Sequence, residues 1–551
     1  MLFMFVQIIF FCSIFNYYAI SLQASDFYVQ NLPLLPEAAS TIRMHAGYLP
    51  VGSKKDGELF FWHFANKFKG DKPRTIIWLN GGPGQSSLIG AWTEIGPFRF
   101  LDKNTIVTNN DSWHFYANLL FIDQPVGTGF SYGNRWMFIK ELDVMAEHFL
   151  NFLDRYVEIF PDLLEEDIYL AGESFGGQYI PYIAKAILEK RPLLKLRGLL
   201  IGDGWIDPIS LYNSYLPYAI ANNLVENNSI LYTNIIRLVT RCQDILSKHV
   251  HIFISECYSI LDLIMDNGII KEQDVEYTED SCINVYDIRL SAKKPMCGMN
   301  GPSELEYVSA YLNRPDVMSS IHINGKKSQW EAFTEMVHDA FQAFNSKPSI
   351  HLLPDLLTKI PIVFYNGEYD FICNHLAAEN MLDNMTWNGA SGFDLGNGKI
   401  ASTLSWIVGD ESAGSIRYAR NLTYILFFNA GHMVPYNPAR RSQVMLYQFI
   451  QLNLSYPNNQ TIDNNHTKVN ENTHRNLKYI ISIVCITIVV IITIIGFLVH
   501  KPRQPQQPRQ RQQERREPRQ LVRYTIINNE NDEPVTSDDD TEEKYRLNLT
   551  K

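Results

Sequence analysis

No two of the seven cysteines stand close enough in sequence to form a zinc-ligand pair, which argues against a metal site. Seven is also too few for a disulfide scaffold in 551 residues. Cys12 and Cys485 fall in apolar terminal segments, so five remain in the body of the chain. Cys242 with Cys257 and Cys282 with Cys297 are candidate local pairs, leaving Cys373 free. Positive charge is in deficit: 48 Lys and Arg against 59 Asp and Glu give a net −11. No basic patch interleaved with aromatics occurs before the far C-terminus, which excludes a nucleic-acid partner. Internal repeats are absent. Hydrophobic content of 46% with 13% aromatic residues excludes a chain that is disordered throughout.

Runs of twenty apolar residues are missing except at the two ends. The first, residues 1–21, ends in small residues and reads as a signal peptide, with cleavage after Ser21 or after Ala24. Its start lacks Lys and Arg, so only the α-amino group supplies positive charge. The second, Ile480 to Val499, carries no charge and matches about 30 Å of hydrocarbon as a helix. Eight Lys and Arg follow it within Lys501–Arg523, against three in the fourteen residues before it. The positive-inside rule then predicts a single-pass type I protein with residues 500–551 in the cytosol. Sequons at Asn110, Asn227, Asn384, Asn421, Asn453, Asn459 and Asn465 all fall on the lumenal side. The last three lie in an Asn-rich stalk, residues 453–479. The tail is rich in Gln, Pro and Arg and then acidic, which predicts disorder. Within it Tyr524–Ile527 (YTII) is a candidate sorting signal for coat adaptors.

Between these ends, six nearly continuous apolar runs each finish in turn residues: RTIIWL before NGGPGQSS, NLLFID before QPVGTGFSY, DIYLAG before ESFGGQY, LRGLLIG before DGWIDP, IPIVFYNG before EYDFICN, and LTYILFFNAG before HMVP. Such runs predict strands buried on both faces of a mostly parallel sheet, with the site at their C-terminal ends. A helix is expected from Ile180 to Lys190. Residues 205–354 change character, with amphipathic stretches at Ile230–Val250 and Trp330–Phe344, and read as a helical insertion capping the sheet. The core is then residues 25–204 and 355–452.

GESFG, Gly172 to Gly176, fits the nucleophile elbow, in which small residues let a strand turn sharply into a helix beneath an exposed serine. A serine hydroxyl needs a base, and the base an orienting carboxylate. Asp370 and His432 each follow a later buried run, and the order Ser174, Asp370, His432 is that of α/β-hydrolases. An oxyanion requires N–H donors: one is expected from Phe175, another from the loop with glycines at 81, 82 and 84. This chemistry calls for no cofactor.

WLNGGPG, GPF (Gly96–Phe98), DQPVGTGFSY, GESFGGQYIP, YNGEYDFICN and GHMVP, in this order, resemble the blocks of the serine carboxypeptidase family from about Met44 to Phe449. The resemblance implies an α/β-hydrolase fold with a helical insertion, here with a C-terminal transmembrane helix added. It implies Ser174, Asp370 and His432 as the triad and the Gly82 and Phe175 N–H groups as the oxyanion hole. It also implies that Asn80, the Gly81 amide and Glu173 hold the substrate's terminal carboxylate, with Glu94 supporting Glu173. Two carboxyls in contact share a proton, so Glu173 is expected to donate to that carboxylate in a mildly acidic lumen. Cys373 and Met433 are implied as pocket residues.

MHAGYLP, CINVYDIRL and CGMNGP are similar to the membrane-anchored, pheromone-processing branch of the family. That branch implies a trans-Golgi network enzyme removing C-terminal Lys and Arg from peptides left by an endoprotease. A broad-specificity carboxypeptidase, an acyltransferase and a non-catalytic receptor are the other readings of this scaffold. A receptor would be expected to lose a triad member, and none is missing. One departure is local: the family's disulfide cysteine is Gln85 here, and its expected partner position is Phe333, so both halves of the crosslink are lost together.

Overall fold

The computed structural model describes residues 22–450 apart from 40, 53–56, 69, 273–277, 324, 326 and 328. The expected signal peptide, stalk, membrane span and tail lie outside the described residues. Among those described, no helix is long and apolar enough to cross a membrane.

An eleven-stranded sheet organises the chain. Its strands are β1 (Met44–Val51), β2 (Gly57–Phe64), β3 (Arg74–Leu79), β4 (Asn118–Asp123), β5 (Asp167–Glu173), β6 (Lys195–Gly202), β7 (Ile362–Gly367), β8 (Leu404–Val408), β9 (Glu411–Ala419) and β10 (Leu422–Phe427). A two-residue strand, Tyr132–Gly133, pairs with β2. The spatial order is β1-β2-β4-β3-β5-β6-β7-β10-β9-β8. The central six, β4 to β10, are parallel, and antiparallel pairs close both edges.

The parallel strands read as unbroken apolar runs because successive side chains enter different cores. On β3, Ile77 and Leu79 face one core while Ile76 and Trp78 face the other. Leu120 and Ile122 alternate likewise with Leu119 and Phe121 on β4. The first core is filled from α1 (Leu142–Ile159) and α2 (Gly176–Lys190), the second from α6 (Leu305–Leu312) and α8 (Ala439–Ile450). Each such buried Leu, Ile or Phe contributes about 1.5–3 kcal/mol relative to exposure.

Between β6 and β7 lie α3 (Pro208–Ala221), α4 (Ile230–Leu246) and α5 (Ser255–Asn267). Asp207 caps α3, accepting from Ile209 N and Ser210 N ahead of Pro208 in the first turn. Disulfides join Cys242 to Cys257, tying α4 to α5, and Cys282 to Cys297, beside a short hairpin of Ser281–Ile283 with Ser291–Lys293. Cys373 is free and buried.

Two expected helices differ in extent. Helix α2 begins at Gly176, four residues before the expected start. Gly177 sits where a Cβ would lie 2.9 Å from Trp205 O, so tertiary packing outweighs the poor helix propensity of the two glycines. The Trp330–Phe344 stretch yields only α7, Glu335–Ala340. Its first residues pair instead with the glycine loop: Ser86 N donates to Ala332 O (2.9 Å) and Thr334 N to Gly84 O (2.9 Å). These two bonds flank Gln85 and Phe333, which face each other as an antiparallel bridge.

Candidate active site

The site is assembled at the C-terminal ends of the parallel strands. Ser174 follows β5 at φ 58°, in the left-handed region that costs a side-chain-bearing residue about 1–2 kcal/mol. Its backbone is held there from three sides: Ser174 N donates to Gly202 O (3.1 Å), and Ser174 O accepts from Gly177 N and Trp205 N (both 2.9 Å). The loop after β3 packs directly on this turn. A Cβ on Gly81 would lie 2.4 Å from Phe175 N and 2.8 Å from Ser174 Cβ, so only glycine fits. Neither Phe175 N nor Gly82 N has a hydrogen-bond partner among the described residues. Both are therefore free to donate.

Asp370 lies in the loop after β7 and His432 in the loop after β10, on neighbouring strands. His432 Nδ1 donates to Asp370 Oδ2 at 2.9 Å, with both side chains buried. Ile372 N donates to Asp370 Oδ1 (3.1 Å) and Cys373 N to Oδ2 (3.2 Å). The ring of Tyr286 stacks on His432 with centroids 4.6 Å apart and 7° between planes, and Tyr286 O accepts from His432 N (2.7 Å). This tyrosine comes from the residues between β6 and β7, so they hold one face of the imidazole.

Metal-ligating atoms of Asp370, Cys373 and His432 lie within 4.8 Å of one another. Burial, together with the charges of Asp370, Asp203 and Glu173, pushes the Cys373 thiol well above its ordinary value. A neutral thiol is a poor ligand, and both Asp370 oxygens are already accepting. The cluster fits a histidine–carboxylate pair beside a small apolar contact, not a metal centre. Met433, next to His432, is 9% exposed.

On the other side of Ser174 a second constellation is built around Asn80. The Asn80 side-chain oxygen accepts from Trp78 Nε1 (2.8 Å) and Gly90 N (3.0 Å), which fixes the orientation of the amide. Its nitrogen donates to Glu173 Oε1 (2.9 Å) and Glu94 Oε1 (3.3 Å). Glu94 ends a short π-helical turn, Gly90–Glu94. The Oε2 atoms of Glu94 and Glu173 are both buried without a donor. Burial, then the Glu94 charge, pushes the Glu173 carboxyl well up from its ordinary value. Burial also raises Glu94, offset by its hydrogen bonds to Glu173 and Asn80 and by the Arg99 charge. Two buried carboxyls accepting from one amide nitrogen disfavour a double negative charge, which favours one proton on the pair.

Sequence reading missed three participants. Asp123, the last residue of β4, ties two loops together: it accepts from Ser86 Oγ (2.6 Å), Ser87 N (3.0 Å) and Phe130 N (2.8 Å). Burial pushes its carboxyl up to about 6. Asp203, directly after β6, is fully buried against Asp370. Tyr286 is the third. The signal available for both aspartates was their place at the ends of parallel strands, where ligands and catalytic groups gather.

Of the sequons, Asn110, Asn227, Asn384 and Asn421 are exposed, and Asn453, Asn459 and Asn465 lie outside the described residues.

The serine carboxypeptidase family pattern matches residues 33–452. A pheromone-processing carboxypeptidase of Coccidioides posadasii is 44% identical over 445 residues, covering 78% of this chain and 68% of that protein. One from Aspergillus terreus is 45% identical over 441 residues, covering 78% and 69%. The crystal structure of a prohormone-processing carboxypeptidase from Saccharomyces cerevisiae superposes with a TM-score of 0.71 at 34% identity. That match covers 78% of this chain and 96% of the other.

Proposed function

The chain belongs to the serine carboxypeptidase family, and from that premise we propose that it removes C-terminal Lys and Arg from peptide precursors in the secretory pathway. The observation that carries the exopeptidase reading is the buried Glu94–Glu173 pair held by Asn80 beside Ser174. A protonated carboxyl in that position donates to a peptide's terminal carboxylate, whereas an ionised one repels it. The 3.3 Å Asn80–Glu94 contact is the weaker of the two, so its hydrogen is the one a bound carboxylate would take over. Gly81 brings its own N–H to the same place.

Ser174 Oγ attacks the carbonyl of the last peptide bond. His432 takes the proton at Nε2, because Nδ1–H is engaged by Asp370. The oxyanion is met by the N–H groups of Phe175 and Gly82, and His432 returns the proton to the departing amino acid. Water then hydrolyses the acyl-enzyme by the same base. Cys373 and Met433 line the pocket for the leaving residue.

Basic specificity rests on the relatives, which act on pheromone and prohormone precursors by name, and on the net charge of −11, which favours cationic peptides. The two disulfides suit an oxidising lumen. The signal-like start, the seven lumenal sequons and the charge-free run at Ile480–Val499 support a glycosylated, single-pass type I protein of the trans-Golgi network, with YTII read by sorting adaptors. The test is release of the last residue from peptides ending in Lys, Arg, Leu or Phe by the full-length protein at mildly acidic pH. Ser174→Ala is the control. No release from any peptide sinks the enzyme reading, and equal release of Leu or Phe sinks the basic preference alone.

A further inference from the structure

A second carboxyl pair lies beneath the first. Asp203 leaves β6 at φ 40°, and Asp203 N donates to Tyr365 O on β7 (2.8 Å), so its side chain meets the loop that carries Asp370. Asp203 Oδ1 accepts from Gly367 N (2.9 Å) and Asn366 Nδ2 (3.3 Å). Asn366 Nδ2 also donates to Cys373 O (2.9 Å), closing a ring around the Asp370 turn. Asp203 Oδ2 is buried and has no donor, and Asp370, whose turn Asp203 Oδ1 holds through Gly367 N, is the charged neighbour that acts on it most strongly.

Counting lone pairs decides which of the two carries the proton. A carboxylate offers about four acceptor positions. Asp370 fills three of them with Ile372 N, Cys373 N and His432 Nδ1, which leaves one. Asp203 has a whole oxygen unpartnered. The carboxyl with more donors is the better anion, and the one with an orphaned oxygen is the better acid.

We propose that Asp203 is a positioning residue of the triad, carrying a proton on Oδ2 that it donates to the last free acceptor position of Asp370. So held, the Asp370 carboxylate has four donors and one orientation, with Oδ2 aimed at His432 Nδ1. Loss of the Asp203 proton puts a second anion against Asp370 and releases that orientation. The groups facing Asp203 leave it little else to pair with. They are Asp370 and Cys373 from the loop after β7, Glu173 from β5, Tyr365 from β7, Tyr218 from α3 and Tyr424 from β10. No cation is among them. Burial and the Asp370 charge push the Asp203 carboxyl well up, which keeps the proton in place on the acid side.

This inference rests on the triad reading above, and the assay separates the two. The substrate is an N-blocked amino-acid p-nitrophenyl ester, which has no free carboxylate, so titration of Glu173 no longer affects binding. The full-length wild type is expected to lose kcat for this ester as pH rises. Asp203→Asn, which keeps a donor and two acceptors but cannot titrate, is expected to lose that alkaline fall. Asp203→Ala is expected to lower kcat about 10- to 100-fold on the acid side, where wild-type Asp203 holds its proton, as removal of a hydrogen bond to a charged group implies, with Asn recovering most of the loss. Coincident alkaline limbs in wild type and Asp203→Asn overturn the proposal. So does a wild-type profile with no alkaline fall, which needs no variant to fold. Ester hydrolysis that survives Ser174→Ala overturns the triad reading instead.

Discussion

Replacing Glu173 by Gln tests the carboxylate pocket in its own terms. Glutamine keeps an oxygen for Asn80 Nδ2 and sets an NH2 group where Glu173 now has a buried oxygen without a donor. The variant therefore donates to a substrate carboxylate at every pH, whereas Glu173 donates only while protonated. Its carboxyl is raised by burial and by Glu94, so the proton is held on the acid side and lost as pH rises through the raised value. A hydrogen bond to a charged group contributes about 1.5–3 kcal/mol. At about 1.4 kcal/mol per decade, its loss raises the wild-type KM about 10- to 100-fold across that window. Two like charges about 4 Å apart at an effective dielectric of about 20 repel by about 4 kcal/mol, which sets a ceiling near a thousandfold. The assay is kcat and KM against pH for a peptide ending in Arg, with the corresponding C-terminal amide as control. The wild-type KM should climb with pH while Glu173→Gln stays flat, and kcat should move less than KM in both. A variant whose KM climbs in parallel with wild type refutes the shared-proton argument. An amide bound as tightly as the acid refutes the pocket altogether.

Ser174→Ala should lower kcat by about 10⁴-fold or more with binding of a C-terminal Arg peptide retained, read by single-turnover kinetics and calorimetry. Asp370→Asn should lower kcat about 10⁴-fold, since an amide nitrogen facing His432 selects the wrong tautomer. Gln85→Cys with Phe333→Cys should crosslink on oxidation and add about 2–4 kcal/mol to stability. The pair is of the non-hydrogen-bonded antiparallel kind, whose Cα atoms are about 4.5 Å apart, within disulfide reach. Two free thiols after oxidation would show that the crosslink geometry went with the cysteines. Stability should also fall at both ends of the pH range. Burial lowers His63 to about 3, so the folded state resists protonation, and about 5 kcal/mol is lost as pH falls from above 6.5 to below that value. Asp123, raised to about 6, has the opposite sign and loses about 3 kcal/mol as pH rises from below 3.8 through 6. Denaturant midpoints for Asp123→Asn should lack the second slope, and an unchanged slope would reassign it.

The central strands were legible from the sequence because each is buried on both faces, so one apolar run carries the whole signal. The Asp370–His432 pair and the strained turn at Ser174 were legible because each residue ends one of those runs and the elbow glycines mark the turn. What escaped reading is decided by partners far along the chain. Helical periodicity over Trp330–Phe344 is real, yet Ala332 and Thr334 give their backbone groups to Ser86 and Gly84, some 250 residues earlier. A local pattern cannot report a remote strand partner; only the family resemblance set Phe333 against Gln85, and it carried no word of the backbone pairing. Asp203 escaped for a related reason. In DGWIDP it looks like a turn residue, and only the parallel pairing of β6 with β7, more than 150 residues apart, sets it against Asp370. Two carboxyls brought together by a sheet have no joint signature in sequence, since each alone is an ordinary strand-end aspartate. The same holds for Glu94 and Glu173, where the carboxyl pairing came only from the family resemblance. The acid pairs of this site are thus products of topology. Their proton occupancy follows from the donors counted around each oxygen, which is why the pH profiles of Glu173→Gln and Asp203→Asn are the sharpest probes of the fold's part in the chemistry.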